Sequence, residues 1–292
     1  GPVDPVDDPA RVFRRRAEMV LEVVERERPR LLLFEFYPFE PNRFAGALDL
    51  LLGRLADQPE PPVCISSIRA VPITNSPGVH SDPTESRRLL ERHFTAVLHH
   101  ADPRVFALSE LESYLKDSLG EVPLIQTGHV RRYGEAPTAA GMQDALLLTV
   151  GAGGRPGARL LHKLLDAAAL ARRAPTHLHV VCGPFTPECD LATLKARATD
   201  RIVVHDALPH LDDLIGRCRA VVSMGGYNTI VEALSAGRPL LSFPRTETEQ
   251  RTMVGSFARA GLLMRGDAEA DVETVARQID RIERRRLGAR PH

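Results

Sequence analysis

Nine short apolar runs, spaced by helix-length amphipathic segments, constrain this chain more than any other feature. They are RLLLFEF (30–36), PVCISSI (62–68), TAVLHH (95–100), EVPLIQT (121–127), ALLLTVG (145–151), THLHVVCG (176–183), DRIVVH (200–205), RAVVSM (219–224) and RPLLSF (238–243). Most are rich in Leu, Val and Ile without a strict polar alternation, which is the pattern of strands covered on both faces. Segments such as 10–27, 157–171 and 227–236 have the length and periodicity of helices. Strands alternating with helices predict an α/β fold with parallel sheets and right-handed crossovers.

The polar, small-residue stretch VRRYGEAPTAAGMQD (130–144) separates two strand-like runs and predicts a boundary, giving domains at 1–135 and 136–292. The second half carries about five β-α units, enough for a Rossmann-like domain. The first half offers about four strands behind a leading helix and reads as an incomplete Rossmann-like domain.

Charge and cysteine content exclude several classes. Lys plus Arg (38) equals Asp plus Glu (38), so no excess positive charge is present to hold a nucleic-acid backbone. No apolar run reaches the roughly 18 residues of a membrane span. Cys64, Cys182, Cys189 and Cys218 lack paired CxxC spacing, so neither a disulfide framework nor a zinc site is expected, and a reducing cytoplasm is the predicted location. Lysine occurs only at Lys116, Lys163 and Lys195, an arginine bias that points to a high-GC bacterial genome. The adjacent pair His99-His100 at a strand end reads as a surface step rather than a metal site.

One stretch carries chemistry: VVSMGGYNTIVEALSAGRPLLSFPR, residues 221–245. Gly225 and Gly226 follow a strand directly and let the backbone approach a ligand closely. Asn228 or Thr229 then opens a helix whose free N–H groups and dipole suit an anion, although a purely structural turn has the same sequence. Glu232 lies three and four residues beyond Thr229 and Asn228, on the same helical face. A carboxylate there is placed to accept hydrogen bonds from a ribose diol, or is a solvated surface glutamate. In FPRTETEQ (243–250), Glu249 and Gln250 open another helix. They could bond sugar hydroxyls or simply favour the helix dipole.

SMGGYNTIVEALSAGRPLLSFPR (223–245) with Glu249 and Gln250 resembles the donor-site signature of MurG-type GT-B glycosyltransferases. It is closer still to a group of bacterial predicted glycosyltransferases with the MGGYNT motif. LLLFEFYPF (31–39), CISSIRA (64–70), ADPRVF (101–106), TGHV (127–130), TVGAGG (149–154) and VCGPFTP (181–187) resemble that group in the same order. The resemblance implies a GT-B fold of two Rossmann-like domains. It implies an enzyme moving a sugar from a UDP or dTDP donor to a small-molecule or lipid acceptor, with inversion and without a metal or other cofactor. Gly225, Gly226, Asn228 and Thr229 would line the diphosphate, Glu232 would grip the ribose, and Glu249 and Gln250 would read the sugar. Gly151, Gly153 and Gly154 would form the opposite wall, and Leu208 would offer backbone groups to the base.

The chain departs from the family in lacking an opening GxGHxxR loop, and its Gly1-Pro2 start suggests a trimmed beginning. On the acceptor side Glu35 and Arg69 are the candidates, each at the carboxyl end of a predicted strand. Glu35 could deprotonate a hydroxyl or cap the following turn; Arg69 could hold an anion or make a structural ion pair. A nucleotide-sugar hydrolase or epimerase on the same scaffold and a non-catalytic binding subunit are the competing readings.

Overall fold

The structure, a computed structural model, describes residues 9–39, 45–71, 82–107, 113–131, 145–172, 177–245 and 248–282. The chain divides into two compact units, Gly1–Gly128 and His129–His292. The expected boundary at 135/136 lies outside the described residues.

The first unit runs α1 (Pro9–Glu27), β1 (Leu31–Glu35), α2 (Ala45–Ala56), β2 (Val63–Arg69), α3 (Pro83–His93), β3 (Ala96–His100), α4 (Ser113–Leu119) and β4 (Leu124–Gln126). Its four described strands are parallel in the order β1-β2-β3-β4. Every crossover therefore steps the same way along the sheet, which, with right-handed connections, sends the helices to one face. Phe34, Cys64, Ile68 and Val97 point into that layer and pack with Leu51, Leu52, Leu90 and Leu115. Phe94 meets Phe34 edge to face, 5.4 Å between centroids. Asp82 starts α3 by accepting a hydrogen bond from the Thr84 N–H at 2.9 Å, with Pro83 pre-set at the first helical position. On the opposite face Leu31, Leu33, Val63 and Ile125 are each about half exposed.

The second unit runs β5 (Ala145–Thr149), α5 (Gly154–Leu170), β6 (His177–Val181), α6 (Glu188–Lys195), β7 (Ile202–His205), α7 (Leu211–Arg217), β8 (Ala220–Ser223), α8 (Tyr227–Ser235), β9 (Leu240–Ser242), α9 (Thr248–Arg259), β10 (Met264–Arg265) and α10 (Val272–Ile282). All six described strands are parallel in the order β10-β9-β8-β5-β6-β7. Chain progress along the sheet therefore reverses between β5 and β8. Every residue of β5 is buried, as a central strand covered by helices on both sides must be. Leu146, Leu148, Leu161 and Leu164 are fully buried with Ile279 and Ile282 of α10; each such side chain stabilises by about 1.5–3 kcal/mol. The nine apolar runs all contain strands; among the described residues β10, two residues long, is the one strand that the sequence did not suggest. No described helix is long and apolar enough to cross a membrane.

Two histidines within this sheet couple its stability to pH. His179 Nδ1 and His205 Nε2 lie 2.9 Å apart with stacked rings. Burial, then the neighbouring His205 and His177, hold His179 below its ordinary value of 6.5. Burial likewise lowers His205, against a smaller opposing effect of Asp206. Above 6.5 both histidines are neutral whether folded or unfolded, and the native packing contributes fully. As pH falls below that value the unfolded chain binds protons that the folded chain resists, so stability is lost. Urea unfolding midpoints should therefore drop between about pH 7.5 and about pH 5.5, and drop less in His179→Gln.

Candidate functional site

The reversal between β5 and β8 decides where a ligand can sit. Connections leaving β5 travel toward β6 and β7, those leaving β8 toward β9 and β10, and the diverging loops open a crevice beyond the strand ends. Thr149 pairs with Ser223, so the loops that follow emerge side by side. One is Gly151–Gly154 and the other Gly225–Gly226. The two glycine runs that the sequence suggested as facing walls thus adjoin the switch point.

Gly225 and Gly226 play different parts in their turn. Gly225 has φ +81°, and a Cβ there would lie 2.6 Å from Val254 Cγ2. Its N–H donates to Ser223 Oγ at 3.2 Å, which fixes the turn to the end of β8. Gly226 has an ordinary extended backbone, and a Cβ on it would meet nothing within 4 Å. It is the N-cap of α8, with no side-chain cap hydrogen bond. The first intrahelical bond runs from Ile230 N–H to Gly226 O, so the N–H groups of Tyr227, Asn228 and Thr229 precede the ladder. Open space above that end, with the helix dipole behind it, suits an anion. Asn228 is exposed and Glu232 half-buried one turn further along, whereas Thr229 is buried. Thr229 therefore brings its N–H rather than its side chain to the exposed face.

Across the switch point, Gly151 also has open space where a Cβ would stand. Gly153 is the N-cap of α5 at φ +83°, and Gly154 is that helix's first residue. This loop interlocks with the next one: a Cβ on Gly183 would collide with the backbone of Gly151, Ala152 and Gly153. The Phe185 N–H donates to Ala152 O at 3.0 Å. Phe185 itself stands 74% exposed on this pinned loop, an aromatic surface that sequence reasoning passed over although VCGPFTP contains it. Leu208 is half-buried between β7 and α7. Glu249 lies in the first turn of α9, and Gln250 Oε1 accepts from the Arg245 N–H at 3.2 Å, so it already braces its own loop.

In the first unit the polar residues gather at the carboxyl ends of the strands. Glu35 and Arg69 pair with each other at 3.0 Å, and the Arg69 guanidinium lies 4.9 Å from the Phe36 ring centroid. Beside them stands a group that the sequence did not reveal. Ser67 Oγ is 2.7 Å from His100 Nε2, and His100 Nδ1 is 2.7 Å from Thr127 Oγ1. The single Thr127 hydroxyl proton goes to Gly128 O at 3.0 Å, so Thr127 accepts from His100 Nδ1–H. Nε2 then carries the lone pair and accepts the Ser67 hydroxyl proton. Burial pushes the His100 imidazole below its ordinary value, opposed by the charge of Glu35. The reading of His99-His100 as a surface step fails at His99, which is fully buried with Nε2 at 3.0 Å from Ala70 O. Strand alternation explains the difference: neighbouring histidines point to opposite faces.

Residues 147–290 match the family described as the glycosyltransferase family 28 C-terminal domain. No curated protein sequence matches the chain. Solved structures do. The calicheamicin glycosyltransferase CalG4 aligns with a TM-score of 0.58 at 14% identity over 97% of this chain and 74% of its own. UGT2 of Phytolacca americana, complexed with UDP-2-fluoro-glucose and pterostilbene, gives 0.58 at 12% identity over 95% and 73%. The spinosyn rhamnosyltransferase SpnG, complexed with thymidine diphosphate, gives 0.57 at 18% identity over 94% and 70%. These likenesses establish the fold: two parallel α/β units of the GT-B type, as the sequence resemblance implied.

Proposed function

We propose that this chain, GT-B in fold and carrying a family 28 C-terminal domain, transfers a sugar from a nucleoside diphosphate donor to an acceptor hydroxyl. The observation that carries the reading is the pair of glycine turns at the one topological switch of the second unit's sheet, with the open N-terminus of α8 and Glu232 one turn behind it. The diphosphate sits on the N–H groups of Gly226 to Thr229, against the wall of Gly151 to Gly154. Glu232 accepts hydrogen bonds from the ribose, and the base lies toward Leu208. UDP and dTDP both suit such a cradle, which reads phosphate and pentose before it reads the base.

The reaction is a single displacement at the anomeric carbon, which inverts it. N–H groups fixed in place stabilise the departing diphosphate as its charge develops, without a metal ion. On the acceptor side the first unit supplies a proton path: the hydroxyl passes its proton to Ser67, and Ser67 passes its own to His100 Nε2. Thr127 holds the ring in the tautomer that leaves Nε2 basic. Glu35 and Arg69, satisfied by each other, hold that end of the sheet in place.

Calorimetric titration with UDP and dTDP tests the donor site. Glu232→Ala should weaken whichever nucleotide binds by about 10–100-fold, the scale of a lost hydrogen bond to a charged group, and leave thermal unfolding unchanged. Absence of binding by both nucleotides in folded protein overturns the reading. Nucleoside diphosphate release that needs no acceptor would reassign the chemistry to donor hydrolysis.

A further inference from the structure

A cavity of about 820 Å³ opens in the second unit beside the proposed diphosphate cradle. One wall reaches Met224, the residue before Gly225, and another is the end of β9, Phe243 to Arg245. It therefore borders Phe243 to Arg245, which precede in the chain the Gln250 to which the resemblance assigns the transferred sugar. Leu160, Met224 and Phe243 give it an apolar floor.

Most of its charged lining is cationic. Among the described residues that face it, Arg159, Lys163, Arg245, Arg251 and Arg265 outnumber Asp267 and Glu269 by five to two. Asp267 Oδ1 accepts from the Glu269 N–H at 2.9 Å, which holds the carboxylate in place and leaves its charge. Lys163 is fixed by donating to Ala268 O at 2.6 Å and Ala270 O at 3.1 Å, and part of its charge is answered by Asp271, whose carboxyl it helps to hold below the ordinary value. Among the described side chains, which do not include that of Glu249, no carboxylate lies within ion-pair distance of Arg159, Arg251 or Arg265. This is unlike the arginines of α3 and α6 and their surroundings, where Arg88 and Arg197 have found acidic partners. Like charges gathered around one concavity repel each other and focus a positive field into it. A neutral hexose would leave that field unanswered, whereas a carboxylate on the sugar would accept paired hydrogen bonds from a guanidinium.

We infer that the donor carries an acidic sugar: the basic cavity between the β8 and β9 ends, α5 and the 266–269 loop receives a negatively charged group on the transferred hexose. This rests on the proposed donor site and names the class of sugar it takes.

The test uses the full chain at low salt. UDP and dTDP are titrated first; whichever binds is then compared as its glucose and glucuronate conjugates. The glucuronate conjugate should bind at least about tenfold tighter, the scale of a hydrogen bond between charged groups. That preference should shrink toward unity in Arg159→Ala and in Arg251→Ala, both exposed positions, and on adding salt. Equal affinity for the two conjugates overturns the inference while the donor site stands. A preference that survives both substitutions also overturns it, because the charge is then read elsewhere. If neither nucleotide binds, the donor site itself fails and takes the inference with it.

Discussion

Gly225→Ala is expected to destabilise the second unit by about 2–4 kcal/mol, a sum of two separable costs. At φ +81° an L-residue has left the backbone region it prefers, which costs about 1 kcal/mol. The added Cβ also lands 2.6 Å from Val254 Cγ2, and Val254 is fully buried, with nowhere to retreat. Overpacking of this kind costs about 1–3 kcal/mol. For a unit of this size the apparent melting temperature should fall by about 5–15 °C. Gly226→Ala is the matched control. Its backbone suits any residue and its Cβ would enter open space, so stability should hold or rise by about 0.4–1 kcal/mol. That methyl group projects into the space reserved for the diphosphate, so nucleotide affinity should fall instead. A Gly226→Ala protein that binds UDP and dTDP normally would show that the ligand does not sit on this turn.

His100→Gln is expected to lower transfer turnover by about 10²–10⁴-fold, the usual contribution of a positioned general base. Glutamine keeps hydrogen-bonding capacity next to Ser67 and Thr127 but cannot take up the proton. The pH profile separates this from a structural role. His100 accepts a proton only while neutral, and burial places its titration below 6.5. The wild-type rate should therefore fall on the acid side of that value, and the limb should vanish in His100→Gln. An unchanged acidic limb would locate the base elsewhere, whatever the loss in rate. Nucleotide binding, which depends on the second unit, should survive the substitution.

The strands were legible because a buried parallel strand must be apolar on both faces, and runs such as ALLLT and AVVS show it without reference to anything distant. The donor-side turn was legible for a similar reason: glycine directly after such a run marks a backbone that must bend sharply or admit a ligand. Separate roles for Gly225 and Gly226 were not legible, since they depend on Val254 in α9, far along the chain. Thr229 belongs with them. Helical spacing grouped it with Glu232, but the packing of α8 turns its side chain inward.

The element types, the two α/β units and the place of the glycine turns are written in the order of the residues, because each follows from local periodicity and backbone sterics. Which distant groups meet is settled by the folded chain. Ser67 of β2, His100 of β3 and Thr127, the residue after β4, carry no shared spacing; sheet register brings them to hydrogen-bonding distance. The same holds for the cations of the cavity, drawn from α5, the end of β9, α9 and β10. Their repulsion becomes a binding property only once folding has placed them around one space, since Coulomb energy depends on separation in the folded chain and not on position along it.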